Sequence, residues 1–230
     1  MTVLVVAAHP DDEVLGCGGT IARLGKEGHE IHAAILGEGI TSRSNKPKTA
    51  KRDLVKALRG CSRQVADLLG ISELYFYDLP DNRFDSIPLL DVIKIVEKLI
   101  ERLQPEVIYT HHGGDLNIDH VIVNRAVLTA TRPVAGHPVK EIFAFEIASS
   151  TEWTFGQLSP EFIPNVYIDI SSTLKTKVQA MELYSSETRL FPHPRSPEAL
   201  NSICKGHGTA VGFEAAEAFQ LIRKIVPKMK

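Results

Sequence analysis

Short apolar runs alternate along this chain with longer segments whose apolar positions recur every three or four residues. Residues 3–8 are apolar without alternation, the pattern of a strand buried on both faces. Residues 13–26 read as a helix that stops near Gly28, and 30–36 as a second strand. Residues 37–49 form a polar loop with Thr41, Ser42, Arg43, Ser44 and Asn45, long enough for a lid or a substrate loop. Helix 50–69 ends at Gly70, and strand 73–79 runs into the turn Pro80-Asp81-Asn82. Residues 89–103 carry apolar side chains at 89, 90, 92, 93, 96, 99 and 100, one face of a helix. Strand 107–110 leads into His111-His112-Gly113-Gly114-Asp115, and helix 118–131 closes at Arg132-Pro133. Strands at 141–148 and 165–170 follow, then helices at 172–184 and 214–226.

Strands alternating with helices predict an α/β protein with a mostly parallel sheet and right-handed crossovers. No repeat, low-complexity tract or linker divides the chain, so one domain spanning 1–230 is expected. The composition is that of a globular protein, with 43% hydrophobic and 23% charged residues. A net charge of −2 gives no field to hold nucleic acid or an anionic membrane. Three distant cysteines suggest neither a disulfide framework nor a paired-cysteine metal site. With no basic, apolar leader and no run long enough to span a membrane, a cytoplasmic protein is expected. Apolar positions in the last helices leave room for a homo-oligomer contact.

The chemistry gathers where strands end. In a parallel sheet the carboxyl ends share one edge, so His9 to Asp12, Asp81 and His111 to His120 meet in one crevice. His9, Asp12 and His120 make a two-histidine, one-carboxylate set for a divalent metal. Three protein ligands leave a position for water, the mark of a catalytic zinc site. Fe(II) suits such a set too. Asp11 cannot share that ion through the same face; it stands where it can take a proton from the bound water. Zinc lowers that water's pKa from about 15.7 to about 7, so a carboxylate suffices as base. The arrangement points to hydrolysis of an amide or ester.

These residues carry a family likeness. Ala8-His9-Pro10-Asp11-Asp12-Glu13 with Gly16-Cys17-Gly18-Gly19-Thr20 resembles the signature of the PIG-L/LmbE zinc-dependent de-N-acetylases. Asp115-Leu116-Asn117-Ile118-Asp119-His120 is similar to that family's second motif, and Leu69-Gly70, Leu79-Pro80-Asp81 and Ala216-Glu217-Ala218-Phe219 extend the likeness over nearly the whole chain. The resemblance implies a Rossmann-like fold and removal of an acetyl group from an N-acetylglucosamine-type sugar. It also implies zinc on His9, Asp12 and His120, Asp11 as general base, and Asp81 with an arginine of the preceding helix on sugar hydroxyls. Arg59 fits that arginine's spacing better than Arg63.

One position departs from the family. Many members have a histidine three residues before the last ligand, where this chain has Asn117. A carboxamide can donate to a developing oxyanion but cannot protonate a leaving amine; His112 and His193 are the spare candidates for that. Asn117 is equally suited to cap the following helix. Arg189, His193 and Arg195 lie in one loop and suit a phosphate or carboxylate, which suggests an acidic or nucleotide-linked amino sugar.

Blander readings compete. Asp11 or Asp12 alone would be read as a helix cap, and Cys17 between glycines as a packing residue. A strand, glycines and a helix also invite comparison with a dinucleotide-binding oxidoreductase. Gly16-x-Gly18-x-x-Ile21 leaves that fingerprint incomplete, and the acids at 11–13 would repel a pyrophosphate. Other amides and acetyl esters remain open as substrates.

Overall fold

The computed structural model describes residues 1–42 and 48–226. Arg43, Ser44 and Asn45 of the expected loop lie outside them. In chain order the strands and helices are β1 (Thr2–Ala7), α1 (Asp12–Lys26), β2 (Glu30–Gly37), α2 (Lys48–Leu69), β3 (Glu73–Leu79), α3 (Leu89–Leu103), β4 (Val107–His111) and α4 (Ile118–Ala130). They continue with β5 (Glu141–Phe145), β6 (Val166–Asp169), α5 (Leu174–Leu183), α6 (Pro197–Val211) and β7 (Ala216–Lys224). Among the described residues these strands make one sheet in the order β3-β2-β1-β4-β5-β7-β6. The first five run parallel, and β7 lies antiparallel between β5 and β6. The expected mostly parallel α/β sheet is present.

Burial explains why β1 is apolar throughout. Val3 and Val5 face a core built with Val14, Leu58, Val65 and Met181 of α1, α2 and α5. Leu4 and Val6 face a second core with Val92, Val96, Val123 and Val127 of α3 and α4. Strand order reverses between β1 and β4, which places a crevice at their carboxyl ends. The segments leaving those two strands are 8–12 and 112–120.

Helix α1 is broken at Cys17, where φ is −149°. A break orphans amides and carbonyls that would otherwise pair within the helix. Here the fully enclosed Glu217 carboxylate accepts from Gly19 N–H at 2.9 Å and Thr20 N–H at 2.7 Å. Lys177 donates to Leu15 O at 2.7 Å and to Glu217 at 2.6 Å, so α5 and β7 together mend the break. A Cβ on Gly16 would lie 2.4 Å from the Phe145 ring, and one on Gly19 2.7 Å from Ile170. These glycines serve close packing, with three acids at the helix start, so the site has no cradle for a dinucleotide phosphate.

The C-terminal reading needs correction. Residues 214–226, expected as a helix, contain strand β7, and α6 occupies 197–211, where no helix was expected. Ala, Glu, Gln and Leu favour helix locally, but pairing with both β5 and β6 overrides that preference. The start of α6 is locally specified: Ser196 accepts from Ala199 N–H at 3.1 Å and Pro197 opens the first turn.

Candidate active site

The chain leaves β1 at Ala8 and reaches α1 through Asp11, which holds φ 106° and ψ −26°. That backbone is unfavourable for a residue with a Cβ, by about 1–3 kcal/mol. Asp11 stands at the N-cap position of α1 yet makes no side-chain capping bond. Asp12 turns back instead, and its Oδ2 accepts from His9 N–H at 2.7 Å. The capping reading of this pair therefore fails.

Asp12 Oδ2 lies 3.5 Å from both His9 Nδ1 and His120 Nε2. The remaining nitrogen of each histidine is held by a carboxylate. His9 Nε2 is 2.9 Å from Asp119 Oδ2, and His120 Nδ1 is 3.0 Å from Asp115 Oδ1. Those carboxylates are themselves fixed: Asp119 accepts from Asn82 N–H and Phe84 N–H, and Asp115 from the Ser150 and Thr151 hydroxyls. Carboxylates placed in this way fix the ring orientation of histidines that could hold a metal.

Asp12 Oδ1 and His120 Nε2 are buried and have no hydrogen-bond partner. Ligand atoms of His9, Asp12 and His120 lie within 4.8 Å of one another. Two orphaned lone-pair donors and a tethered histidine are what a divalent ion requires, so the residues fit one. His9, Asp81 and Asp119 are equally close, but their oxygens are occupied. Asp81 Oδ2 accepts from Ser42 N–H at 2.8 Å and its hydroxyl at 2.6 Å, and Oδ1 from Asn82 Nδ2 at 3.1 Å.

The charges follow from this packing. Burial lowers the His9 pKa, but the bonds to Asp119 and Asp12 outweigh it and raise it to about 10. Burial lowers His120 too, while Asp12 and Asp115 carry it up to about 9. Burial disfavours ionised Asp12, yet the charge on His120 holds its carboxyl well below the usual range. His111 is pushed down to about 4 by burial and by His120. It stays neutral, accepts from Ala8 N–H at 2.8 Å, and stacks on the His120 ring at 4.0 Å.

Asp11 is 2% exposed, and burial raises its carboxyl pKa. Arg195 opposes that rise: its Nη1 donates to Asp11 Oδ2 at 2.7 Å, and its Nε to Ser149 Oγ at 2.8 Å. The expected anion-binding arginine thus already has a carboxylate. A cleft of about 530 Å³ opens beside it, lined by Asn82, Asn117, Trp153, Arg189, His193 and Arg195 among others. Asn117 caps α4 by accepting from Asp119 N–H at 2.9 Å, and its amide donates to Asn82 Oδ1 at 3.2 Å. His193 Nδ1 accepts from Arg195 N–H at 3.1 Å. His112 is buried with its Nε2 at 2.7 Å from Pro160 O, which removes it as a proton donor to the cleft.

Arg59 stands apart from this group. Its guanidinium donates to Tyr77 O and Asp78, and it lines another recess with Glu38, Thr41, Arg52 and Arg63. Asp115, Asp119, Asn82 and Glu13 were not singled out from the sequence as parts of the site. Asp115 and Asp119 were visible as acids beside His120; their signal was that ligand histidines need carboxylate partners.

A mostly parallel sheet with this pocket at its switch point is the LmbE-like α/β fold. The chain belongs to the PIG-L family, the GlcNAc-PI de-N-acetylases, which match it over residues 4–131. It is 28% identical over 191 residues to a probable N-acetyl-alpha-D-glucosaminyl L-malate deacetylase 2 of Bacillus cereus, covering 81% of this chain and 83% of that one. The N,N'-diacetylchitobiose deacetylase of Pyrococcus horikoshii superposes with a TM-score of 0.77 at 19% identity, over 96% of this chain and 84% of that one. GalB, the 4-carboxy-2-hydroxymuconate hydratase of Pseudomonas putida, superposes with a TM-score of 0.78 at 20% identity, over 100% and 99%. At such identities the two structures share the fold.

Proposed function

We propose that this protein is a zinc-dependent hydrolase that removes the N-acetyl group from an amino sugar conjugate of the N-acetylglucosamine type. The observation that carries the reading is the convergence of unpartnered Asp12 Oδ1 and His120 Nε2, with Asp11 adjacent in the chain. A divalent ion on His9, Asp12 and His120, zinc or else Fe(II), would polarise the acetamide carbonyl and acidify a water. Asp11 takes the proton of the attacking water; burial raises its carboxyl to about 8, and Arg195, donating to Oδ2, draws it down against that burial. Asn117, at the cleft wall, has an amide hydrogen for the developing oxyanion. His193 is the histidine in the cleft wall suited to protonate the leaving amine.

Asp81, 3.5 Å from His9, is the candidate for a sugar hydroxyl, whereas Arg59, in its separate recess, would serve only a substrate that extends that far. Arg189 and His193 line the cleft and suit an acidic or nucleotide-linked substituent; the relatives include a deacetylase acting on a malate conjugate. No helix among the described residues is long and apolar enough to cross a membrane. Three unbridged cysteines support a cytoplasmic setting.

The test is acetate release from free N-acetylglucosamine, its malate conjugate, a nucleotide-linked form and a neutral glycoside, with an acetyl ester as control. Release from the sugars, strongest with the acidic conjugates, supports the reading. Release from the ester alone moves it to another acyl bond. Turnover only of an unsaturated acid by hydration, as GalB is named for, overturns it.

A further inference from the structure

The strained backbone of Asp11 has its own support, built from outside the segment that contains it. Asp11 N–H donates to Glu13 Oε2 at 3.1 Å, and the other oxygen of that carboxylate accepts from the Tyr184 hydroxyl. Glu13 and Tyr184 are both fully buried. Tyr184 stands at the end of α5, the helix whose Lys177 also holds Leu15 O at the break in α1. Helix α5 therefore grips the first turn of α1 at two points, one of them through Glu13.

We propose that Tyr184 and Glu13 are positioning residues for Asp11: the buried hydroxyl–carboxylate pair holds the Asp11 backbone at positive φ and so aims its side chain. The physical need is clear. With φ at 106°, an ordinary backbone would relax to negative φ, swinging Cβ and the carboxylate away from the present line. Among the described residues Glu13 is the one acceptor for this N–H, which precedes the first turn of the helix. The Tyr184 hydroxyl donates to the other oxygen of that carboxylate and so fixes it from α5. Arg195 then fixes the other end of the residue, at Oδ2.

This inference rests on reading Asp11 as the general base, so its test carries a readout independent of activity. Tyr184→Phe and Glu13→Leu are made alone and on top of Asp11→Asn, in zinc-loaded protein. Each single variant is expected to keep its zinc and a KM within about twofold of the parent, while kcat falls by about tenfold or more. On the Asp11→Asn background neither should cost anything further, because the group they aim is gone. An equal loss of kcat on both backgrounds, or a loss confined to KM, overturns the proposal.

Amide hydrogen exchange supplies the second readout. Tyr184→Phe should speed exchange at Asp11 N–H by about tenfold or more and leave Val14 and Leu15, whose amides bond to Asp11 O, unchanged. Unaltered exchange at Asp11 overturns the strut even if kcat falls. If the parent protein hydrolyses no acetamide, the functional reading fails, and the exchange result alone still decides whether Tyr184 holds Asp11.

Discussion

Arg195 Nη1 lies 2.7 Å from Asp11 Oδ2, joining a loop after α5 to the segment that leaves β1. Burial alone would keep Asp11 protonated, and the guanidinium is what opposes it. Glu187, 3.6 Å from the same guanidinium, and Ser149 keep Arg195 in place. Arg195→Ala should therefore move the acid limb of the kcat/KM profile to higher pH, since Asp11 then ionises later. At pH 7 the loss should be about tenfold or more, within the range for general-base catalysis. Zinc content should not change. A profile that keeps its midpoint while KM alone rises would return Arg195 to gripping the substrate's anion.

Metal binding should expel protons. In the metal-free protein His9 and His120, raised to about 10 and about 9, are both protonated at pH 7. A ligand nitrogen must be neutral, so zinc binding should release about two protons and its affinity should climb with pH up to that range. Calorimetry in buffers of different ionisation heat measures the number. Proton-neutral binding would mean that His9 and His120 are already neutral in the metal-free protein.

The break in α1 makes the chain dependent on a buried ion pair. Glu217→Ala strands Lys177 without a counter-charge and leaves Gly19 and Thr20 N–H unpaired. Breaking one side of such a pair costs about 3–5 kcal/mol. Urea unfolding should show it; a loss under about 1 kcal/mol would place this pair with surface ion pairs.

Gly16→Ala should fail sterically. Its Cβ would enter the Phe145 ring, which packs within the core, so overpacking of about 1–3 kcal/mol is expected. Unchanged thermal stability would show that the ring yields freely.

Asn117 has two separable tasks. Asn117→Asp preserves the cap on Asp119 N–H but removes the amide donor, whereas Asn117→Ala loses both, with about 1 kcal/mol of stability. If the donor serves the oxyanion, the aspartate variant should be stable and slow. A stable variant with full kcat would leave Asn117 as a cap only.

The sequence disclosed the parts whose pattern is local. Strand β3 and helix α3 fall at the boundaries the pattern predicts, β3 lying between Gly70 and Pro80 and α3 carrying one apolar face that packs into the second core. The histidines and acids at the ends of β1 and β4 could be placed in one crevice from the parallel topology alone. Long-range partners were not legible. Arg195 looked free in the sequence because the Asp11 it serves is 184 residues away. Lys177 falls on an expected helix and Glu217 within a likeness motif, but nothing local says that both are buried or that residues 216–224 pair as a strand. Tyr184 carried no signal at all, since its role depends on where α5 ends against α1.

The most direct measurement is acetate release from an N-acetylglucosamine conjugate by metal-stripped protein as zinc is added back. The account predicts no release without metal, a rise that saturates near about one equivalent of zinc, and loss of that rise in His120→Ala. Release that is indifferent to zinc, or a zinc response that survives His120→Ala unchanged, would contradict it.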